Sequence, residues 1–368
     1  MSEMRNILVA SDKFKGTLAA TAACAAIARG LARRWPQAVI ETCPIADGGE
    51  GFVEALAGPL RGRWVEVPCH DALGRPIRAR YLVAQHAGET LAVMEMAAAS
   101  GLWRIAPHER DILRANTFGT GEMMRHAVEH AQVQRLILGI GGSATNDGGV
   151  GMAAALGLRF LDSNGLPLAP SPAAWAGRLA RVDGSQRIAL PPVTVACDVT
   201  SPLLGPTGAT RVFGPQKGAD ASGMQVLEAA LEALVNAADG ATSAARPGAG
   251  AAGGLGFGLV HFAAARLVPG FGLVAGLTNL AARVAAADLV VTGEGSLDAQ
   301  TLAGKGPLGV ARLARSHGKP VWAFCGRADA AARNCGDFER VFALTETGLP
   351  LATLMAEAAR LLEAAAAG

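Results

Sequence analysis

Four glycine-rich clusters hold most of the side chains able to do chemistry. They are Ser11-Asp12-Lys13-Phe14-Lys15-Gly16, Ala46-Asp47-Gly48-Gly49-Glu50-Gly51, the run from Gly139 to Gly149 (GIGGSATNDGG), and Thr292-Gly293-Glu294-Gly295-Ser296-Leu297-Asp298. Each sets a carboxylate or a lysine among glycines. Glycine lets the backbone approach a ligand closely, and consecutive amides can cradle an anion. Gly141, Gly142, Ser143 and Thr145 form the densest such turn. If that turn opens a helix, the positive end of the dipole adds to the attraction. Lys13, Lys15, Lys217 and Lys305 can neutralise a phosphate or a carboxylate. Asp47, Glu50, Asp147, Asp198, Glu294 and Asp298 are hard oxygen ligands suited to Mg²⁺, which favours carboxylates plus substrate phosphates. Together these parts suit phosphoryl transfer, where catalysis is mostly positioning and charge neutralisation.

Each residue also has a plainer role. Asp198 follows an apolar strand, where partial desolvation could ready a carboxylate to act as a base; it could equally cap the turn after it. Asp47 is the alternative base, a metal ligand, or a turn former. Glu294 and Asp298 could face one metal, or Asp298 could serve a helix N-terminus. Asn146 and Asp147 could hold Mg²⁺ or cap a helix. Lys217 and Lys305 are phosphate contacts or surface lysines. The seven histidines are scattered and form no triad or metal spacing.

The elements that must position these residues follow from periodicity. Strands are expected at 7–11 and 39–45, with helices at 17–35 and 50–56, a β-α-β-α rhythm that implies a parallel sheet. Residues 64–68, 77–83 and 91–96 read as strands with turns between them, hence antiparallel. The α/β rhythm resumes with a helix at 122–129, a strand at 135–140 and a helix at 151–158. Strands are expected at 159–162 and 193–198, and helices at 224–238 and 248–262. Towards the end the reading is strands at 288–292, 320–325 and 340–344 and helices at 308–316 and 351–366. The expected fold class is α/β: a discontinuous Rossmann-like parallel sheet domain (1–63, 111–155 and 280–368) plus an inserted mixed α/β domain (64–110 and 156–279).

Composition narrows the function. Thirty-three basic against 31 acidic residues give a net charge of +2, no case for nucleic acid or an anionic membrane as partner. The longest uncharged run near a spanning length, 247–265, is broken by glycines and is no spanning helix. Six cysteines without metal spacing, and no signal-like N-terminus, are consistent with a reduced, cytoplasmic protein. GxxxxGK[ST] and the protein-kinase motifs are absent. Gly139-Ile140-Gly141-Gly142-Ser143-Ala144 fits GxGxxA, with Asp162 downstream as a ribose ligand would be, so a nicotinamide-dependent dehydrogenase of a small hydroxy acid is the rival enzyme. A non-enzymatic small-ligand sensor is the third reading. It needs one anion nest, not several with interleaved carboxylates.

The motifs SDKFKGT, ADGGEG, MEMAAASGL, NTFGTGEM, GIGGSATNDGGVGM, ACDVTSPLLGPTGATRVFGPQKGA, GAGAAGGLGFGL and VTGEGSLDAQTLAGKGP occur here in this order. Over 7–326 the chain resembles the bacterial type I glycerate kinases. The resemblance implies ATP-dependent phosphorylation of D-glycerate to mostly 2-phosphoglycerate, with a divalent metal, and two α/β domains with the active site between them. A monomer or homodimer is expected. One departure is Ser11-Asp12-Lys13, where the family usually reads Pro-Asp-Ser; this favours Lys15, in the shared Phe-Lys-Gly, over Lys13 as the working lysine.

Overall fold

The structure is a computed structural model and describes residues 4–298 and 306–368. In chain order the strands are β1 (Asn6–Ser11), β2 (Val39–Thr42), β3 (Arg63–His70), β4 (Pro76–His86), β5 (Glu89–Glu95), β6 (Arg135–Gly139) and β7 (Arg159–Leu161). Then come β8 (Arg181–Asp183), β9 (Val193–Ala196), β10 (Arg266–Val268), β11 (Leu289–Leu297), β12 (Val321–Ala328) and β13 (Arg340–Ala343). The chain divides into two units.

The first unit comprises Met1–Asp47, Glu54–Leu60 and Phe271–Gly368. Its sheet runs β13-β12-β11-β1-β2, every pair parallel. Side chains alternate across a strand, so β1 feeds two cores. Ile7 and Val9 pack with Ala23, Ile27 and Leu31 of helix Ala20–Arg34 and with Leu361 and Leu362 of helix Ala358–Ala367. Leu8 and Ala10 pack on the other face with Leu308 and Ala311 of helix Gly306–Ser316. A strand buried on both faces must be apolar throughout, which Ile7-Leu8-Val9-Ala10 satisfies. Because all strands run one way, their carboxyl ends form one rim, where ligands of such sheets bind.

The second unit comprises Gly48–Val53 and Arg61–Gly270. Its six-stranded sheet runs β10-β9-β6-β5-β4-β3. β3, β4 and β5 form the antiparallel meander expected from the sequence; β5, β6, β9 and β10 are parallel. β7 and β8 pair apart as a two-stranded sheet. The expectation that 111–155 belongs with the first sheet is corrected here. β6 lies between β5 and β9, and Leu136 and Leu138 pack with Met94 and Val195. The cause is the helix Phe118–Glu129, which buries Met123, Met124 and Ala127 in that core and crosses from β5 to a parallel β6.

Among the described residues no helix is long and apolar enough to cross a membrane. The six cysteines are free thiols.

Candidate functional site

In the first unit, a cavity of about 410 Å³ sits where the strands end. Asp12 and Lys13 follow β1, Asp47 follows β2 by a few residues, Glu294 lies in β11 three residues before its end, and all four line it. Lys15 and Asp298 line it too. Lys13 Nζ stands 3.6 Å from Asp47 Oδ1. Asp12 is 8% exposed, and its Oδ1 accepts the amide of Lys13 at 2.6 Å. Burial pushes its carboxyl up to about 6; Asp47 acts in the same direction, and Lys13 and Lys15 pull back. Ser296 Oγ donates to Asp298 Oδ2 at 3.0 Å and accepts from Arg327 Nε at 2.8 Å, which ties these three lining side chains together. The apolar part of the lining comes from Leu344, Leu351, Leu354 and Met355.

In the second unit, the glycine turn leaves β6. Gly141 N donates to Gly48 O at 3.2 Å, and Gly142 takes φ +75°. Lys217 lies behind this turn, only 2% exposed; its Nζ donates to Ser143 Oγ at 2.8 Å and to Thr145 O at 2.7 Å. Burial pushes its pKa down to about 7, while the Asp147 carboxylate works to raise it. The loop from Gly248 packs against the same turn. Ala252, Gly253 and Gly254 are left-handed, and a Cβ on Gly253 would fall 1.9 Å from Thr145 O, so only glycine fits.

Several expectations need correcting. The Gly141–Thr145 turn does not open a helix: the next helix is the short Val150–Ala155, beyond left-handed Gly148 and Gly149. The anion at that helix N-terminus is the chain's own Asp147. This fully buried carboxylate accepts Thr117 N and Oγ1 at 2.8 Å each, Gly151 N at 3.0 Å and Gly149 N at 3.2 Å. Burial pushes its pKa up and those bonds pull it down. Four donors occupy it as a cap, so Asp147 is not carried forward as a metal ligand. Lys217 is neither a surface lysine nor an open phosphate contact; it braces the turn. Asp162 accepts Asn164 N and Leu166 N and pairs with Arg178, a turn role rather than a ribose ligand.

The remaining candidates divide between the units. Lys15, Asp47, Glu294 and Asp298 share the first unit's cavity. Asp198 lies in the second unit, two residues past β9, where its Oδ1 accepts Gly270 N at 3.0 Å. Lys305 lies outside the described residues. Asp12 was not singled out from the sequence. Its position directly after β1, an interior strand of a parallel sheet, is the signal that marks it. The cavity's donor set is compatible with Mg²⁺. Among the described residues no three His, Cys, Asp or Glu side chains group tightly enough to cage an ion alone. Mg²⁺ commonly takes only one or two carboxylates and fills its shell with water and phosphate.

A sequence profile of the glycerate kinase family matches residues 7–368. Glycerate kinase of Bacillus subtilis (strain 168) is 42% identical over 365 residues, 97% of this chain and 94% of its own. Glycerate 2-kinase of Escherichia coli (strain K12) is 39% identical over 333 residues, 87% of this chain and 84% of its own. A crystal structure from Salmonella typhimurium LT2, of a protein assigned as glycerate kinase 2, superposes with a TM-score of 0.85 at 38% identity, covering 99% of this chain and 96% of that one. Matches this long reach both units and all four glycine clusters: the chain belongs to the glycerate kinase family.

Proposed function

We propose that this chain transfers the terminal phosphoryl group of ATP to the 2-hydroxyl of D-glycerate, as a cytoplasmic enzyme of organic acid catabolism. The observation that carries the reading is the convergence of Lys13 and Lys15 with Asp12, Asp47, Glu294 and Asp298 on one cavity at the carboxyl rim of a parallel sheet. Two ammonium groups suit phosphate oxygens, and the carboxylates suit the metal that accompanies them. Family membership supports glycerate as the acceptor, and the name of the Escherichia coli relative supports the 2-position.

In this reading Asp47, Glu294 and Asp298 would hold Mg²⁺, which when bound supplies positive charge against the phosphates. Lys15 offsets negative charge on substrate or nucleotide. Asp198 is the proposed proton acceptor for the attacking hydroxyl, oriented by the Gly270 amide; Asp47 is the alternative. Gly142, Ser143 and Thr145 are proposed contacts for phosphate oxygens, with Gly141, whose amide is committed to Gly48 O, and Lys217 positioning the turn.

ADP release, measured with ATP and Mg²⁺ with and without D-glycerate, tests the activity. The reading expects release to depend on D-glycerate. Release at the same rate without it would overturn the reading.

A further inference from the structure

The lining of the first unit's cavity is chemically mixed: lysines and carboxylates together with the apolar Leu344, Leu351, Leu354 and Met355, the last within reach of Gly16, next to Lys15. Leu344 and Leu354 are buried, but Leu351 is 69% and Met355 43% exposed. Those two stand four apart on the helix Leu351–Ala356, so they share one face of it. Large apolar side chains held open beside a ring of charges are costly to leave wet.

D-Glycerate bears oxygen on every carbon and has no apolar face to lay on such side chains. A cavity of about 410 Å³ falls within the range of drug-sized ligand sites and is far larger than glycerate needs. A nucleotide has the matching polarity: a flat, weakly polar base at one end and phosphates at the other.

We propose that this cavity seats the adenosine of the nucleotide, with the purine against Leu351 and Met355 and the phosphates directed to Lys13 and Lys15. The inference deepens the kinase reading and rests on it. Thr345, also in the lining and next to Leu344 in the chain, offers a hydroxyl for the edge of the base or the ribose. The apolar lining comes from the chain's C-terminal segment, which lies outside the region of ordered motif resemblance.

The test uses the full chain and three probes: adenosine, ADP and inorganic tripolyphosphate, each titrated without D-glycerate. The double variant Leu351→Asn, Met355→Gln alters exposed positions and should fold, as a thermal melt will verify. It should weaken adenosine and ADP by about tenfold or more, and tripolyphosphate by less than about twofold. In turnover, KM for ATP should rise while KM for D-glycerate holds. Leu349→Gln, an exposed leucine outside the cavity lining, should change none of these. Wild type that binds no adenosine, or a double variant that binds ADP as tightly as wild type, would overturn the proposal. So would a change confined to KM for D-glycerate. Nucleotide binding is read without the acceptor, so failure of glycerate turnover would sink the kinase reading while the titrations still judge the cavity.

Discussion

Lys217 holds its ammonium nitrogen 2.7 Å from the carbonyl oxygen of Thr145, with almost no exposure to solvent. The side chain thus ties the Gly141–Thr145 turn from behind. Burial lowers its pKa from 10.5 to about 7, so between those values the unfolded chain holds a proton that the folded chain has lost. Stability therefore rises with pH across that window and is flat below it, where both states are protonated. Lys217→Met should remove that rise. Urea unfolding of both proteins from pH 6 to pH 10 provides the check, and parallel curves would show that Lys217 keeps an ordinary pKa.

Asp12 should show the opposite slope. Its carboxyl titrates near 6 in the fold against 3.8 ordinarily, so between those values the folded chain binds the extra proton. Stability falls as pH rises through that window, and the loss persists above it. Asp12→Asn removes the buried charge, and at pH 7 it should stabilise the fold by about 3 kcal/mol. The same change should lower turnover, because a destabilising charge kept in a cavity marks a trade of stability for function. A variant that is less stable, or fully active, would count against this role.

The two candidate bases separate by metal rescue. General-base help is typically worth about 10²–10⁴-fold in rate, and Asp198→Asn should lose that much with ATP and D-glycerate still bound. Extra Mg²⁺ should not restore it. Asp47→Asn should instead raise the Mg²⁺ needed for half-maximal rate. Excess EDTA should stop the wild type. If the two variants exchange behaviours, the roles of Asp198 and Asp47 exchange with them. An Asp198→Asn enzyme within about threefold of wild type makes Asp198 a turn residue.

Much of this architecture was legible from local pattern. The buried run Ile7–Ala10 and the meander of β3, β4 and β5 both emerge from apolar spacing; the first three glycine clusters follow strands, whereas the fourth, from Thr292, lies within β11, which runs on to Leu297. What periodicity does not carry is the partner of a strand. β6 has the same β-then-glycine look as β1, yet it pairs with β5 and β9. The helix Phe118–Glu129 between β5 and β6 was the available clue, since a strand-helix-strand passage makes parallel neighbours. Burial was equally hidden. Asp147 sits in a run that reads as a ligand set, but its donors come from Thr117, 30 residues away, as well as from its own turn. Lys217 is 74 residues from Ser143, so no local spacing could reveal that contact. Asp12, by contrast, stands in plain view at the end of β1, beside Lys13 and close to Lys15.

Phosphorus NMR of the product formed from ATP, Mg²⁺ and D-glycerate tests the central claim most directly, because it reads activity and position together. The account predicts the signal of 2-phosphoglycerate, its phosphorus coupled to the single proton of the secondary carbon, growing as ADP appears. A phosphorus coupled to the two protons of a primary carbon would contradict the 2-position, and ATP left intact beside D-glycerate would contradict the kinase activity itself.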